Sequence, residues 1–369
     1  MPCWTVRPDI GHQRRNGSLD SDVFVTQVGI ALTPQITNPA SKGSNLSGQS
    51  LVQVRGVGFM NVNPQLGHEF DTRQPMPEPT FSYASPDDPR LKQIIIKLIE
   101  RLTGQPRLKR MYLDNRANPV EGETFFAAAI RYLKLRVDFD MARLHEVPKD
   151  GPLVVVANHP FGVIDGLVVS HLASMVRGEF KILTNAVLNQ APEIEGYLLP
   201  VDFDETPEAL ATNIRTRKIS RDLLKAGGTI IVFPGGTVST SPRPFGRAVD
   251  PVWQPFTAQL VQRSKATVVP VFFEGQNGRL FQVASHFSRT LRLSLLFREV
   301  RESIGSRVPV RIGRPIRYAE LAHLTDRHEF AEELRQRTYA LGSAPMPQGT
   351  YSGLTIGEKI KAKRLARQR

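Results

Sequence analysis

The 369-residue sequence contains a single cysteine, Cys3. That excludes an intramolecular disulfide and any metal site built from several cysteines. No stretch approaches the roughly 18 consecutive apolar residues of a membrane-spanning helix. The opening Met1, Pro2, Cys3 and Trp4 lack the apolar run of a secretory signal. Helix-turn-helix, zinc-finger and RNP-like aromatic signatures are missing, so nucleic-acid binding has no recognisable module. There is no internal repeat. Acidic residues are in deficit: 35 Asp+Glu stand against 48 Lys+Arg, a net charge of +13. This excess predicts anionic partners: nucleic acid, an anionic membrane surface, or acidic substrates and carriers. The absences together predict a soluble or peripheral protein of the cytoplasm.

The composition that remains is that of a globular chain, 40% hydrophobic and 22% charged. Residues 1–85 are rich in Gly, Pro, Ser, Asn and Gln and read as a flexible leader, with a short strand expected near 51–57. Residues 86–140 read as an amphipathic helical segment. Leu91, Ile94, Ile95, Leu98, Ile99 and Leu102 recur at helical spacing. Arg107, Lys109 and Arg110 then read as a basic link. A second helix is expected from about 123 to 136, with Phe126, Ala129, Ile130 and Leu133 on one face. Such helices usually pack into a core. From 141 to 342 short β runs alternate with helices. Strands are expected at 153–156, 180–183, 229–233, 267–273 and 308–312, and helices at 165–176, 207–226 and 255–264. Strands apolar on both faces and separated by helices predict an α/β fold, a sheet flanked by helices. Residues 343–369 form a basic tail, either a solvated helix end or a polybasic contact to anionic lipid.

The sharpest feature is the run from Val156 to Gly166. A buried strand ends at Asn158-His159, a turn containing Phe161 and Gly162 follows, and Asp165 opens a helix. Ligands of open α/β sheets bind at the carboxyl ends of strands. Histidine can take a proton near neutral pH, and a carboxylate can fix its tautomer. Equally, Asp165 could simply cap its helix and His159 be a satisfied loop residue. The residues alone leave both readings open. Downstream, Phe233-Pro234 runs into Gly235-Gly236-Thr237-Val238-Ser239. The glycines permit close backbone approach to a ligand, and their N–H groups could face a developing oxyanion. An ordinary turn is the competing reading. Val269-Pro270-Val271 lies in a third strand.

This order of blocks resembles the glycerolipid and lysophospholipid acyltransferase superfamily over roughly residues 123–317. The nearest branch is that of bacterial hemolysin-like and ornithine-lipid acyltransferases. It is marked by Asn158 to Gly162 with Asp165-Gly166, by Leu183-Thr184-Asn185, by Asp250-Pro251-Val252-Trp253, and by Gly275 to Phe281. The resemblance implies an acyltransferase domain over 141–342. His159 would be the general base and Asp165 its orienting carboxylate. Asn158, Phe161, Gly162, Phe233, Pro234, Gly235, Gly236, Thr237, Ser239, Asp202 and Asn277 would bind substrate. The donor would be an acyl thioester on acyl carrier protein or coenzyme A, the acceptor a lyso-lipid hydroxyl. No metal, cofactor or covalent intermediate is implied, and no Gly-x-Ser-x-Gly elbow is present. The helical segment before the first block would dock on the inner face of an anionic membrane.

Three departures shape the expected acceptor. Five residues, 160–164, separate His159 from Asp165 where four are usual; Gly162 is expected to absorb the extra one. Gly235 and Val238 replace the glutamate and arginine of phosphate-recognising members. Asp202 stands where another arginine is usual. Arginine is the natural bidentate phosphate ligand. Its absence favours a lyso-ornithine or related amino-acid lipid over lysophosphatidic acid, with Asp202 and Asp204 toward a cationic head group. Three alternatives remain: lysophosphatidic acid as acceptor, a nucleic-acid-binding protein, and an inactive lipid-binding relative.

Overall fold

The computed structural model describes residues 82, 89–185, 192–202, 206–243, 246–287, 289–346 and 353. The expected leader apart from Ser82, the strand near 51–57, Asp204, and the basic tail beyond 346 apart from Gly353 lie outside the described residues.

The chain begins its described part with α1 (Arg90–Thr103), α2 (Gln105–Ala117), α3 (Phe125–Tyr132), β1 (Arg136–Asp138) and α4 (Met141–His145). The alternating region follows: β2 (Leu153–Ala157), α5 (Val163–Val176), β3 (Phe180–Asn185), α6 (Pro192–Glu195), β4 (Leu198–Val201), α7 (Pro207–Lys225) and β5 (Thr229–Val232). After α8 (Pro255–Ser264) and β6 (Thr267–Phe273) come three short helices, α9 (Arg279–Phe287), α10 (Arg289–Ser294) and α11 (Leu296–Glu302). β7 (Arg307–Ile312), α12 (Tyr318–Leu321) and α13 (Arg327–Tyr339) complete it.

The strands form one seven-stranded mixed sheet in the order β1-β7-β6-β2-β5-β3-β4. Every pairing is parallel except β6 with β7. Period-two alternation sends β2 into two cores. Leu153, Val155 and Ala157 pack with Ile164, Val168 and Leu172 of α5. Val154 and Val156 pack with Leu224 of α7, Val261 of α8 and Phe330 of α13. A strand covered on both faces must be apolar throughout, and β2 is buried at all five positions. The expected helix-flanked α/β sheet is therefore the observed architecture. Because β2, β3, β4, β5 and β6 run the same way, their carboxyl ends share one edge.

The structure departs from the sequence reading in four places. The expected basic link is α2, entered through Gly104 at φ 115° with a proline in its first turn. α3 stops at Tyr132; Lys134 turns at φ 51°, and Arg136 opens β1 beside Arg307. The fifth strand stops at Val232, which frees Phe233 for the loop. Finally, most of the apolar stripe of α1 faces outward. Leu91, Ile94, Ile95, Leu98 and Leu102 are 49–71% exposed, while Ile96 and Glu100 are buried. No helix among the described residues is long and apolar enough to cross a membrane.

Candidate active site

Strand register alone gathers the key residues. Val156 of β2 lies beside Val232 of β5, and Ala157 beside Val271 of β6. The residues that follow each strand therefore leave the sheet together at its carboxyl edge. Asn158 fixes that exit. Its Nδ2 donates to the Phe273 carbonyl at 3.0 Å, and its Oδ1 accepts from the Phe273 amide at 2.7 Å. This side chain continues the β2–β6 ladder by one rung, so its expected role at the substrate gives way to a structural one.

His159 comes next and is only 16% exposed. Its ring stacks on Phe233, with centroids 4.0 Å apart and planes 26° apart. Phe233, expected at the substrate, thus holds the histidine. His159 Nδ1 lies 3.1 Å from Asp165 Oδ2. The ring is turned off a straight N–H···O line, so the contact falls short of hydrogen-bond geometry. Such looseness is common before substrate arrives.

Asp165 is buried in the first turn of α5. Its Oδ2 also accepts from the amides of Phe161 at 2.8 Å and Gly162 at 2.9 Å. So Asp165 both caps its helix and contacts His159; the two sequence readings are compatible. Burial pushes its carboxyl above the ordinary range, while His159 and the two amides pull it back down. Gly162, between the two residues, turns the chain with φ 73° and ψ −112°, a conformation that favours glycine. A Cβ there would also lie 3.0 Å from Leu296 Cδ2 and 3.2 Å from Val238 Cγ2. The helices α9 to α11 therefore roof the first block. Phe161 packs beside Gly275, in the loop after β6.

A second buried carboxylate, Asp250, underpins the site. Its Oδ1 accepts from the His159 amide at 3.1 Å and from the Ser239 hydroxyl. Its Oδ2 accepts from Trp253 Nε1 at 2.9 Å, and its amide donates to the Tyr339 hydroxyl at 2.8 Å. Burial raises this carboxyl too, against the pull of Ser239 and Trp253. The Asp250-to-Trp253 run carried the family resemblance without an assigned role; in the fold it locks the backbone of His159. Ser239 is buried with its hydroxyl committed to Asp250, and its amide donates to the His159 carbonyl at 2.7 Å. Its expected substrate contact becomes one of positioning.

The Gly-Gly turn is likewise more occupied than expected. Pro234 and Gly235 are buried, and a Cβ at Gly235 would press on Asp250 and Pro251. The amide of Gly236 donates to the Phe233 carbonyl at 2.9 Å, closing the turn rather than facing an oxyanion. Thr237 is half-buried, and its hydroxyl accepts from Arg292 Nη2 of α10 at 2.8 Å. Val238 is buried with Phe281, Leu295 and Leu296. Asn277 is 4% exposed, and its Nδ2 has no acceptor among the described residues. Asp202 shares the carboxyl edge but follows β4, three strands from β2 or about 14 Å across the sheet. It is not brought to His159.

The family described as "Acyltransferase" matches residues 119–345. Two relatives are each named lyso-glycine lipid O-acyltransferase. The one from Phocaeicola vulgatus is 23% identical over 265 residues, covering 68% of this chain and 88% of its own. The one from Bacteroides thetaiotaomicron is 23% identical over 266 residues, covering 68% and 91%. A solved structure, the 1-acyl-sn-glycerophosphate acyltransferase PlsC of Thermotoga maritima, aligns at 17% identity and a TM-score of 0.38, over 72% of this chain and 87% of that one. The family match spans more than half of the sequence and contains both the His159–Asp165 pair and the Asp250 brace. The chain belongs to this acyltransferase family and is an acyltransferase enzyme.

Proposed function

We propose that the enzyme acylates the hydroxyl of a lyso-lipid whose head group is an amino acid, using His159 as general base. The observation that carries this reading is the His159–Asp165 contact at the end of β2, with the ring clamped by Phe233. Asp165 occupies the Nδ1 side, which leaves Nε2 for the acceptor. The acceptor hydroxyl gives its proton to Nε2, and its oxygen attacks the thioester carbonyl carbon. The tetrahedral intermediate collapses with cleavage of the C–S bond. The leaving thiolate recovers the proton from the imidazolium, giving an ester and a free carrier thiol. Asp165 offsets the positive charge on the ring while it holds that proton.

The donor is an acyl thioester of acyl carrier protein or coenzyme A; a net charge of +13 suits either anionic carrier. The names of the two relatives support an amino-acid lipid as acceptor, a class that includes both glycine and ornithine lipids. The outward stripe of α1, with exposed Lys97 and Arg101 beside it, supports docking of the enzyme on the inner face of an anionic membrane. The basic tail, with Lys359, Lys361, Lys363 and Arg364, adds charge of the same sign.

Purified enzyme should form diacylated product from a lyso-amino-acid lipid with acyl carrier protein or coenzyme A thioesters, read by mass spectrometry. Faster turnover of lysophosphatidic acid than of lyso-glycine or lyso-ornithine lipid would overturn the acceptor assignment.

A further inference from the structure

One face of α7 carries both apolar and cationic side chains: Leu210, Ile214, Arg217 and Arg221 recur along it at helical spacing. Across from it stands α8, a helix without an acidic residue. Between the two lies a cleft of about 320 Å³. Leu224 and Leu260 in its lining are buried in the core beneath, and Phe256 packs against that core. Its walls carry four cations, Arg217, Lys218, Arg221 and Arg263, all exposed. No carboxylate lines it. The Arg217 guanidinium sits over the Phe256 ring, 5.6 Å from the centroid. Arg221 meets its chain neighbour Asp222 at 3.4 Å, an exposed contact that contributes little. Lys218 and Arg263 have no ionic partner among the described residues. The cleft is tied at one end to the catalytic loops. The Gln254 amide, at the N-cap of α8, donates to the Pro234 carbonyl at 2.9 Å. Phe256 follows two residues later, a span of at most about 7 Å. Pro234 in turn adjoins Phe233, which stacks on His159.

We infer that the α7–α8 cleft is the docking surface for an acyl carrier protein, which it holds by an acidic helix with an apolar face. This rests on the thioester-donor reading above and deepens it, because it selects the protein carrier over coenzyme A. An apolar floor between cationic walls is complementary to a helix that is apolar on one side and acidic along its flanks. A second copy of this chain, at +13, is repelled by the same charges. A small anionic ligand calls for an enclosed pocket with fixed polar groups, whereas all four cations here are exposed. An anionic membrane is the remaining rival, and the fold turns the cleft away from it. α7 and α8 cover the sheet face whose core holds Leu224 and Phe330. The outward stripe of α1 belongs to the other face: α1 rests on α10 and α11, and Phe297 and Val300 of α11 join the core of α5. With α1 on the membrane, the cleft faces the water through which a soluble carrier arrives.

The test gives the full-length enzyme three donors with one acyl chain and one lyso-lipid acceptor: acyl carrier protein, acyl-coenzyme A, and acyl-pantetheine, which has the arm without the protein. Wild type should favour the carrier-bound donor over acyl-pantetheine by about tenfold or more in kcat/KM at low salt, the lower range of electrostatic steering. That advantage should shrink as salt rises past about 0.15 M. The variant combines Arg217→Glu, Arg221→Glu and Arg263→Glu, three exposed positions whose change should leave the melt nearly unmoved. Its KM for the carrier-bound donor should rise about tenfold or more, while kcat/KM on acyl-pantetheine stays within about twofold. Equal loss on both donors would overturn the inference, as would an unchanged KM for the carrier. So would a wild type that prefers acyl-coenzyme A, or a variant that loses anionic vesicles but not the carrier, which would assign the cleft to the membrane. If the triple variant fails to fold, the three glutamines are read instead: the carrier KM should rise severalfold, and no change contradicts the inference. Wild type inactive with all three donors would show that the thioester reading itself is wrong. Activity on acyl-pantetheine with no gain from the carrier would overturn this inference alone.

Discussion

Asp165→Asn separates two roles that the structure gives one side chain. The carboxylate uses one oxygen, Oδ2, for the Phe161 amide, the Gly162 amide and His159 Nδ1. Oδ1 has no hydrogen-bond partner among the described residues. An asparagine therefore has one good orientation. Its oxygen takes the Oδ2 position, because the reverse would aim an NH2 group at two N–H donors. The cap survives, since asparagine caps as well as aspartate. The ring keeps a neutral acceptor at Nδ1 and loses only the charge. A hydrogen bond to a charged group contributes about 1.5–3 kcal/mol, against about 0.5–1.5 for a neutral one. The difference, about 1–2 kcal/mol, falls on the transition state that carries the imidazolium. At 1.36 kcal/mol per factor of ten, kcat should drop about 5- to 30-fold.

Stability should move the other way or not at all. The folded carboxyl is raised by burial, so its contribution is present in acid and is lost as pH rises through the raised value. Asparagine has no such loss, and its Tm at pH 7 should equal or exceed that of wild type. Initial rates of thiol release and thermal melts on the same preparation read both quantities. A rate within twofold of wild type would refute the reasoning and leave Asp165 a helix cap. A loss near 10⁴ would refute the orientation argument, since it signals the wrong tautomer.

Three further outcomes follow from other parts of the molecule. Gly162→Ala must hold φ 73° with a Cβ 3.0 Å from Leu296. It should cost roughly 1–3 kcal/mol in denaturant unfolding and lower the transfer rate with it; an unchanged midpoint would contradict the geometry. Glu299 accepts from the Gly278 amide at 2.6 Å, and burial raises its carboxyl above the ordinary 4.5. Wild type should lose that group's contribution as pH climbs through the raised value, so the Tm advantage of Glu299→Gln should grow from pH 4 to pH 8; a constant difference would count against it. Ile94→Glu with Leu98→Glu should reduce binding to anionic vesicles by roughly tenfold or more. Because both side chains are exposed, the melt should shift little, and undiminished vesicle binding would remove α1 from the docking surface.

What could be read from the sequence divides along physical lines. β6 and α8 match their expected bounds because an unbroken apolar strand and a proline-led amphipathic helix are local signals. The His159–Asp165 pair was legible for the same reason: both lie in one strand–turn–helix unit. α2 was missed because Leu108 is its only fully buried residue, so no apolar stripe announces it. Its signal was the Gly104–Pro106 entry, glycine ending one helix and proline opening the next. For α1 the stripe was plain, but periodicity shows that a face exists and not which way it turns. Asp250 and Arg292 act across 91 and 55 residues, on His159 and Thr237. No local pattern predicts contacts of that span; they depend on strand order and on the roof. Asn158, Ser239 and Phe233, all expected at the substrate, are engaged with Phe273, Asp250 and His159 respectively. Motif residues next to a reactive group are often there to hold it.

The central claim is that His159 takes the acceptor's proton. Its most direct test is His159→Ala with a saturating acyl thioester and lyso-lipid, following ester product alongside the melt. The variant should keep its fold and lose rate by about 10²–10⁴, the usual worth of a general base. A folded variant that keeps more than about a tenth of the wild-type rate would contradict it, because the loss would fall below that range.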